Sequence, residues 1–192
     1  MKPPVSTLWL LPLLLLLQSP VSQAADDGIV VPGERIGAWT LAMTLANLIH
    51  VNGPPDSWGR AFNPPRSDVK WENLSLYATT FDDKEIVELS IGYNPSRRYK
   101  TVQGVGYGSS RSEMEGAHGM APDVVPHPPR FEGRNNATYV YDAIGLAFTL
   151  TECLNDPRSP PCITETIRVT AVTVFRPGDA KRIWGEWLRP NR

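Results

Sequence analysis

Aromatic and arginine side chains are the residues whose types and spacing suit recognition chemistry best in this sequence. They alternate with polar residues in two separate stretches, and the set comprises Trp58, Arg60, Trp71, Tyr77, Tyr139 and Tyr141. Aromatic residues and arginine are enriched where proteins bind one another, so we expect these six to line an exposed sheet face. Core packing explains the same residues equally well, because the pattern does not fix the strand register.

Three residues, His118, Asp123 and His127, lie close together in a proline-rich stretch and offer an enzymatic alternative. Dedicated zinc sites take three or four ligands, and nothing nearby completes such a set. The chain also lacks the Gly-x-Ser-x-Gly turn that presents a catalytic serine. We therefore predict no catalytic residue, no metal and no cofactor, and keep a hydrolase or metal-dependent enzyme that uses His118 and His127 as the alternative.

A glycine-rich segment from Gly104 to Ser110 precedes a predicted helix and would suit a phosphate cradle. It lacks the lysine of a P-loop and the spacing of a dinucleotide fingerprint, so we interpret it as a tight turn. Just upstream, Arg97, Arg98 and Lys100 form a basic patch that we interpret as solvated. A small-ligand or glycan-binding module is the third hypothesis, which an aromatic cleft would favour.

Charge and composition narrow the class of protein further. The chain has 192 residues with 19 Lys+Arg against 20 Asp+Glu, a balance that argues against a nucleic-acid binder. Its 41% apolar residues suffice for a core, whereas 19 prolines indicate short elements joined by stiff loops.

The first segment is predicted to be a targeting signal rather than part of the folded domain. Lys2, an apolar run through Leu17 and the small-residue exit at Ala24 are typical of a secretory signal peptide cleaved after Ala24. The run is too short for a membrane span, and no cysteine near the exit would take a lipid. In an oxidising compartment Cys153 and Cys162 would form one disulfide.

The sequence pattern that predicts the elements positioning these residues occurs twice in the chain. Thr44 and Ser110 are predicted N-caps of two short helices that end at Gly53 and Gly119. Alternating apolar residues after each helix predict antiparallel strands, with insertions making the offset between the two copies grow along the chain. The Cys153 loop is the largest insertion in the second copy.

This duplicated pattern, with Ala42-Met43-Thr44 opening the first helix and Gly53-Pro54-Pro55 closing it, resembles the β-lactamase-inhibitor-protein-like group. That group includes the outer-membrane lipoprotein BamE (SmpA/OmlA). The resemblance covers about residues 32–177 and implies a secreted α/β sandwich that binds proteins with its sheet and carries no catalytic residues. The chain departs from BamE in lacking a lipid-bearing cysteine and in having two copies.

The expected fold class is therefore α+β, with two tandem helix-plus-antiparallel-meander repeats forming a sheet with helices on one face. The expected units are a signal peptide (1–24), a first repeat (25–96), a second repeat with the disulfide insertion (97–177) and a C-terminal helix and tail (178–192). We expect a secreted or periplasmic, non-catalytic protein that binds another protein through its open sheet face. We expect it to bind no nucleic acid and to have neither a membrane span nor a lipid anchor.

Overall fold

A computed structural model of the protein describes residues 26–62, 65–127, 136–152 and 167–191. Within these ranges the chain forms short strands, three short α-helices and two single 3-10 turns. The strands are β1 (Ile29–Val31), β2 (Arg35–Ile36), β3 (Trp39–Thr40), β4 (Ser57–Phe62), β5 (Pro65–Trp71), β6 (Leu76–Phe81), β7 (Glu85–Ile91), β8 (Lys100–Thr101), β9 (Asp123–His127), β10 (Asn136–Tyr141), β11 (Leu146–Glu152), β12 (Ile167–Phe175) and β13 (Arg189–Pro190). The helices are α1 (Leu45–Asn52), α2 (Arg111–His118) and α3 (Ala180–Trp184).

Hydrogen bonds arrange these strands in two sheets. The larger sheet has nine strands in the order β13-β9-β10-β11-β12-β7-β6-β5-β4, and each neighbouring pair is antiparallel. The smaller sheet has the order β3-β2-β1-β8, with β1 and β8 parallel. At the centre of the large sheet β7 pairs with β12, with Ile91 opposite Val172. Residues far apart in sequence therefore meet at this central pair.

The nine-stranded sheet separates two cores, because successive side chains of a strand point to opposite faces. On the face that we call the inner face, Tyr139 and Tyr141 join a cluster with Leu48 of α1, Met114 of α2 and Ile36 of the small sheet. On the opposite, outer face, Val140 joins a second cluster with residues of the C-terminal segment.

The C-terminal segment covers part of the outer face. Ile183 of α3 is buried, and Trp184 meets Phe175 of β12 edge to face with ring centroids 5.0 Å apart. Leu188 packs on the same cluster, whereas Trp187 stays 56% exposed. The outer face is therefore closed beside β12 rather than open along its whole length.

The predicted fold class is wrong. The described chain is mainly β, with a nine-stranded and a four-stranded sheet, and its helices do not form a layer over one face. α1 and α2 are only eight residues each, so much of the inner face packs against the small sheet, whose strands the sequence analysis did not predict. Strands β4, β5 and β9 were also missed, since prolines, glycine and charged residues hide their alternation.

The predicted helix boundaries are confirmed. Thr44 caps α1 and Ser110 caps α2, each accepting a hydrogen bond from the backbone N–H three residues on, at 3.2 Å in both helices. Each helix ends at its predicted glycine, Gly53 and Gly119, with positive φ. In a helix of only two turns, a large share of the backbone N–H and C=O groups lacks a partner within the helix. These caps satisfy some of those groups.

Candidate functional site

Three of the six predicted binding residues lie in the core. Trp71, Tyr139 and Tyr141 are 1%, 9% and 6% exposed. The Trp71 indole N–H donates to the carbonyl of Gly53 at 2.9 Å, and the Tyr141 hydroxyl donates to the carbonyl of Gly119 at 2.7 Å. Burial raises the pKa of Tyr141 to about 12. These side chains fasten the ends of α1 and α2, which is a structural role.

The other three predicted binding residues are exposed but do not share one surface. Trp58 lies opposite Val69 on the inner-face side of edge strand β4, and the guanidinium of Arg60 lies 5.5 Å from the Trp58 ring. Tyr77 lies opposite Lys70 on the outer face, and the Lys70 ammonium is 5.4 Å from the Tyr77 ring. The structure therefore does not bring the six residues together.

The histidines predicted as an enzymatic alternative lie on opposite faces of the large sheet. His118 packs against the rings of Tyr141 and Phe148 on the inner face, and burial lowers its pKa. On the outer face, His127 Nε2 lies 2.7 Å from the hydroxyl of Thr138. Within the described residues no group of three or more His, Cys, Asp or Glu side chains could hold a metal ion.

Two predictions fall on parts of the chain that the structure does not describe. The signal peptide (1–24) and the cysteines Cys153 and Cys162 both lie outside the described residues. Among those that are described, no helix has the length and apolar character needed to cross a membrane.

The glycine-rich segment before α2 has few N–H groups to spare for a phosphate. Six of its seven backbone N–H groups donate within the chain; Gly106 donates to Ser109 Oγ at 3.2 Å, for example, and Gly108 donates to the carbonyl of Val169 at 2.8 Å. The N–H of Ser110 donates to the carboxylate of Glu113 at 2.7 Å. That bond lowers the pKa of Glu113, with Arg168 and Lys100 acting in the same direction. A carboxylate of the chain itself thus occupies this helix N-terminus.

The same segment does, however, form one wall of a surface cavity of about 410 Å³, which we call the junction pocket. The pocket lies where the central strands β7 and β12 meet β8 and the start of α2. Its lining includes Tyr93, Asn94, Arg97, Arg98, Tyr99, Lys100, Tyr107, Gly108, Ser109, Glu113 and Arg168. Its volume falls within the range of small-molecule sites.

Positive charge dominates the junction pocket. Four cationic side chains line it, and Glu113 is the one acidic residue in the lining. The side chains of Arg98 and Lys100 are exposed, and neither forms a hydrogen bond or salt bridge with another described residue. Arg168 donates to the carbonyl of Gly108 at 2.7 Å, and it shares with Lys100 the attraction to the single carboxylate of Glu113. The pocket therefore offers an excess of cations to an anionic ligand.

Local structure holds these cations in place. Asn94 is 7% exposed, and its side-chain oxygen accepts the backbone N–H groups of Ser96 and Arg97 at 2.9 and 3.2 Å. Its amide donates to the carbonyl of Leu74 at 3.0 Å, which ties the turn to the large sheet. The turn before Arg98 is therefore fixed from below by a buried side chain, as an Asx turn requires.

One pocket cation is already paired within the chain. The guanidinium of Arg97 contacts the carboxylate of Asp26, which also accepts a hydrogen bond from the Tyr99 hydroxyl at 3.1 Å. The adjacent residue, Asp27, pairs instead with Arg35 at 2.9 Å, away from the pocket lining. Asp26 thus pairs with Arg97, whereas the side chains of Arg98, Lys100 and Arg168 remain available to a ligand.

Comparison with known proteins adds no relative to this picture. No protein-family model, no curated protein and no solved structure matches the chain. The resemblance to the β-lactamase-inhibitor-protein-like group therefore stays a prediction.

Parts of the junction pocket are recognisable in the sequence, but their assembly is not. The basic patch was interpreted as solvated and the glycine-rich segment as a turn. Tyr93 and Tyr107 were given no binding role, and Arg168 was not singled out. One signal could have indicated that the two segments lie close together. The basic patch and the glycine segment flank a single tight turn at residues 101–104.

Proposed function

We propose that the protein is an exported, non-catalytic binding protein that takes a small anionic ligand in the junction pocket. The observation that carries this proposal is the excess of cations in one cavity, where the side chains of Arg98 and Lys100 form no hydrogen bond or salt bridge with another described residue. Like charges held side by side repel one another, so their placement around a cavity favours a ligand that neutralises them.

The ligand is recognised through side chains rather than through backbone amides. Most N–H groups of the glycine segment are bonded within the chain, so the anion meets mainly guanidinium and ammonium groups. Arginine donates two parallel hydrogen bonds to a carboxylate, which gives direction as well as charge.

Charge neutralisation tests the proposal directly. The double variant Arg98→Gln/Lys100→Gln is compared with Lys84→Gln/Lys181→Gln, which removes the same charge from two exposed lysines outside the pocket lining. Binding of citrate is measured by titration calorimetry at low ionic strength. Each exposed cation–anion contact is worth about 0.2–1 kcal/mol, so the pocket variant should bind about 2- to 30-fold more weakly.

The control variant should bind citrate with nearly wild-type affinity. Equal losses in the two variants would mean that only net charge matters, and would contradict a defined site. Absence of citrate binding to the wild-type protein, observed together with a folded circular-dichroism spectrum, would also count against the proposal.

A second candidate function is the binding of another protein at the free edge of the large sheet. Strand β4 is the last strand of that sheet, and Trp58 on it is 44% exposed. An extended segment of a partner would pair with such an edge through main-chain hydrogen bonds. A partner captured from cell-envelope extract by wild type and by Tyr77→Ala, but lost with Trp58→Ala, would support this role. Equal capture by all three proteins would argue against it.

A further inference from the structure

Two tyrosine rings lie side by side in the junction pocket. Tyr93 and Tyr107 are 58% and 47% exposed, and their ring centroids are 5.0 Å apart with the planes tilted by 46°. The Ser75 hydroxyl donates to the carbonyl of Tyr93, and the N–H of Gly108 donates to Val169 beside Tyr107. Backbone contacts thus hold both residues, although their rings are exposed.

The spacing of the two rings limits the shape of a ligand. A flat aromatic group inserted between them would need about 7–8 Å, twice a carbon–carbon contact distance. The observed centroid distance of 5.0 Å leaves no such slot. A ligand must therefore rest on the two tilted rings together, and a non-planar ring with C–H groups on its face meets both surfaces better than a flat one.

The pocket also offers hydroxyl groups around the ring pair. Neither tyrosine hydroxyl has a hydrogen-bond partner among the described residues, and Ser109 lines the same cavity. Ser109 Oγ accepts the N–H of Gly106, which leaves its own O–H to donate elsewhere. A ligand with several hydroxyl groups would find donors and acceptors here, as small-molecule sites commonly provide.

From these features together we infer that the ligand of the junction pocket is an acidic sugar, a pyranose ring that carries a carboxylate. This inference rests on the proposed function and specifies its ligand class. The sugar ring lies on Tyr93 and Tyr107, and its carboxylate meets Arg98 and Lys100. Inorganic phosphate is a poorer fit, because most of the backbone N–H groups that would cradle it are bonded within the chain.

Matched pairs of sugars test this inference. Trimers of galacturonate and of mannuronate are titrated into the protein beside the neutral trimers galactotriose and mannotriose, with citrate and inorganic phosphate as plain anions. Tyr107→Leu is compared with Tyr77→Leu, a tyrosine of similar exposure that lies on the outer face. Calorimetry gives affinities, and backbone amide shifts in nuclear magnetic resonance locate the site.

At least one uronate trimer should bind tenfold or more tightly than its neutral counterpart and than citrate or phosphate. Tyr107→Leu should weaken that binding fivefold or more and weaken citrate binding by a clearly smaller factor, and Tyr77→Leu should weaken neither. Equal binding of uronates and citrate, or equal effects of the two leucine variants, would overturn the inference while leaving an anion site. If no anion binds, the proposed function itself fails.

Discussion

Replacement of Asp26 by asparagine tests the charge arrangement of the junction pocket from the side of the chain's own carboxylate. Asp26 contacts the guanidinium of Arg97, a pocket residue, and accepts a hydrogen bond from Tyr99. Asparagine keeps an oxygen that accepts the Tyr99 hydroxyl but carries no charge. Asp26→Asn should therefore release Arg97 to an incoming anion and remove a competing negative charge.

The size of the effect follows from the exposure of the pair. The side chains of Arg97 and Asp26 are 53% and 19% exposed, so solvent screens much of their attraction. Such pairs are worth about 0.2–1 kcal/mol, and a freed Arg97 should contribute a similar amount to ligand binding. The affinity for citrate should then rise about 1.4- to 5-fold, since about 1.4 kcal/mol corresponds to a factor of ten.

Asp27→Asn provides a matched control. It removes the same charge one residue away, but from a carboxylate that pairs with Arg35 outside the pocket. Hydrogen bonds from Arg35 and from the N–H of Ile29 lower the pKa of Asp27 to about 2, so its carboxylate is charged throughout a titration at neutral pH. Calorimetric titration with citrate should show a gain for Asp26→Asn and little change for Asp27→Asn, with the difference shrinking at high salt. Unchanged or weaker binding by Asp26→Asn, or an equal gain in both variants, would refute the reasoning.

Three further changes test the packing that supports the site. Gly145→Ala should destabilise the fold by about 3 kcal/mol or more in denaturant unfolding, because Gly145 has φ of 67° and an added Cβ would overlap the carbonyl of Phe175. Wild-type stability should fall between pH 10 and about 12, because the unfolded chain ionises Tyr141 near pH 10 whereas the folded protein holds its proton to about pH 12. Tyr141→Phe should lose about 1 kcal/mol at neutral pH, with its hydrogen bond to Gly119, and should lack that part of the alkaline decline. Ser110→Ala should cost about 1 kcal/mol through loss of the α2 cap, and a wild-type midpoint in urea would contradict the role of the capping box.

Local chemistry was readable from the sequence wherever it depends on neighbouring residues. The caps at Thr44 and Ser110 use contacts within a few positions, and the structure confirms them. The hairpin turn at Asp82 and Asp83 is equally local. Both aspartates adopt positive φ, as a tight hairpin turn requires. Such motifs are specified by side chains that act on their own backbone, so one sequence suffices to find them.

Tertiary placement could not be read in the same way. Trp71 and Trp58 have the same residue type on adjacent strands, yet one is buried and the other is half exposed. The difference comes from position in the sheet, since β4 is an edge strand and β5 has neighbours on both sides. A period-two pattern identifies which residues share a face but not whether that face is covered. The prediction of an open aromatic face failed to distinguish these cases.

The junction pocket depends on long-range pairing. Arg168 reaches the cavity because β12 lies beside β7, and Tyr107 meets Tyr93 because the segment before α2 is hydrogen-bonded to Val169 of β12. No local pattern in the sequence encodes these meetings. The basic patch could be identified from one chain segment, but the residues that meet it in the folded protein could not. It was therefore interpreted as solvated surface.

The arrangement of the basic patch also couples the pocket to the core. Along β8 and the residues before it, exposed and buried side chains alternate. Arg98 and Lys100 are exposed, whereas Tyr99 and Thr101 are 4% and 2% exposed. Tyr99 packs against Trp39 of the small sheet with ring centroids 5.6 Å apart. Because alternate residues of an extended strand face opposite ways, the packing of Tyr99 determines the direction in which both cations point. A shift of one residue in this strand would place charge in the core, so the same packing that fixes the strand register also holds the cations at the pocket.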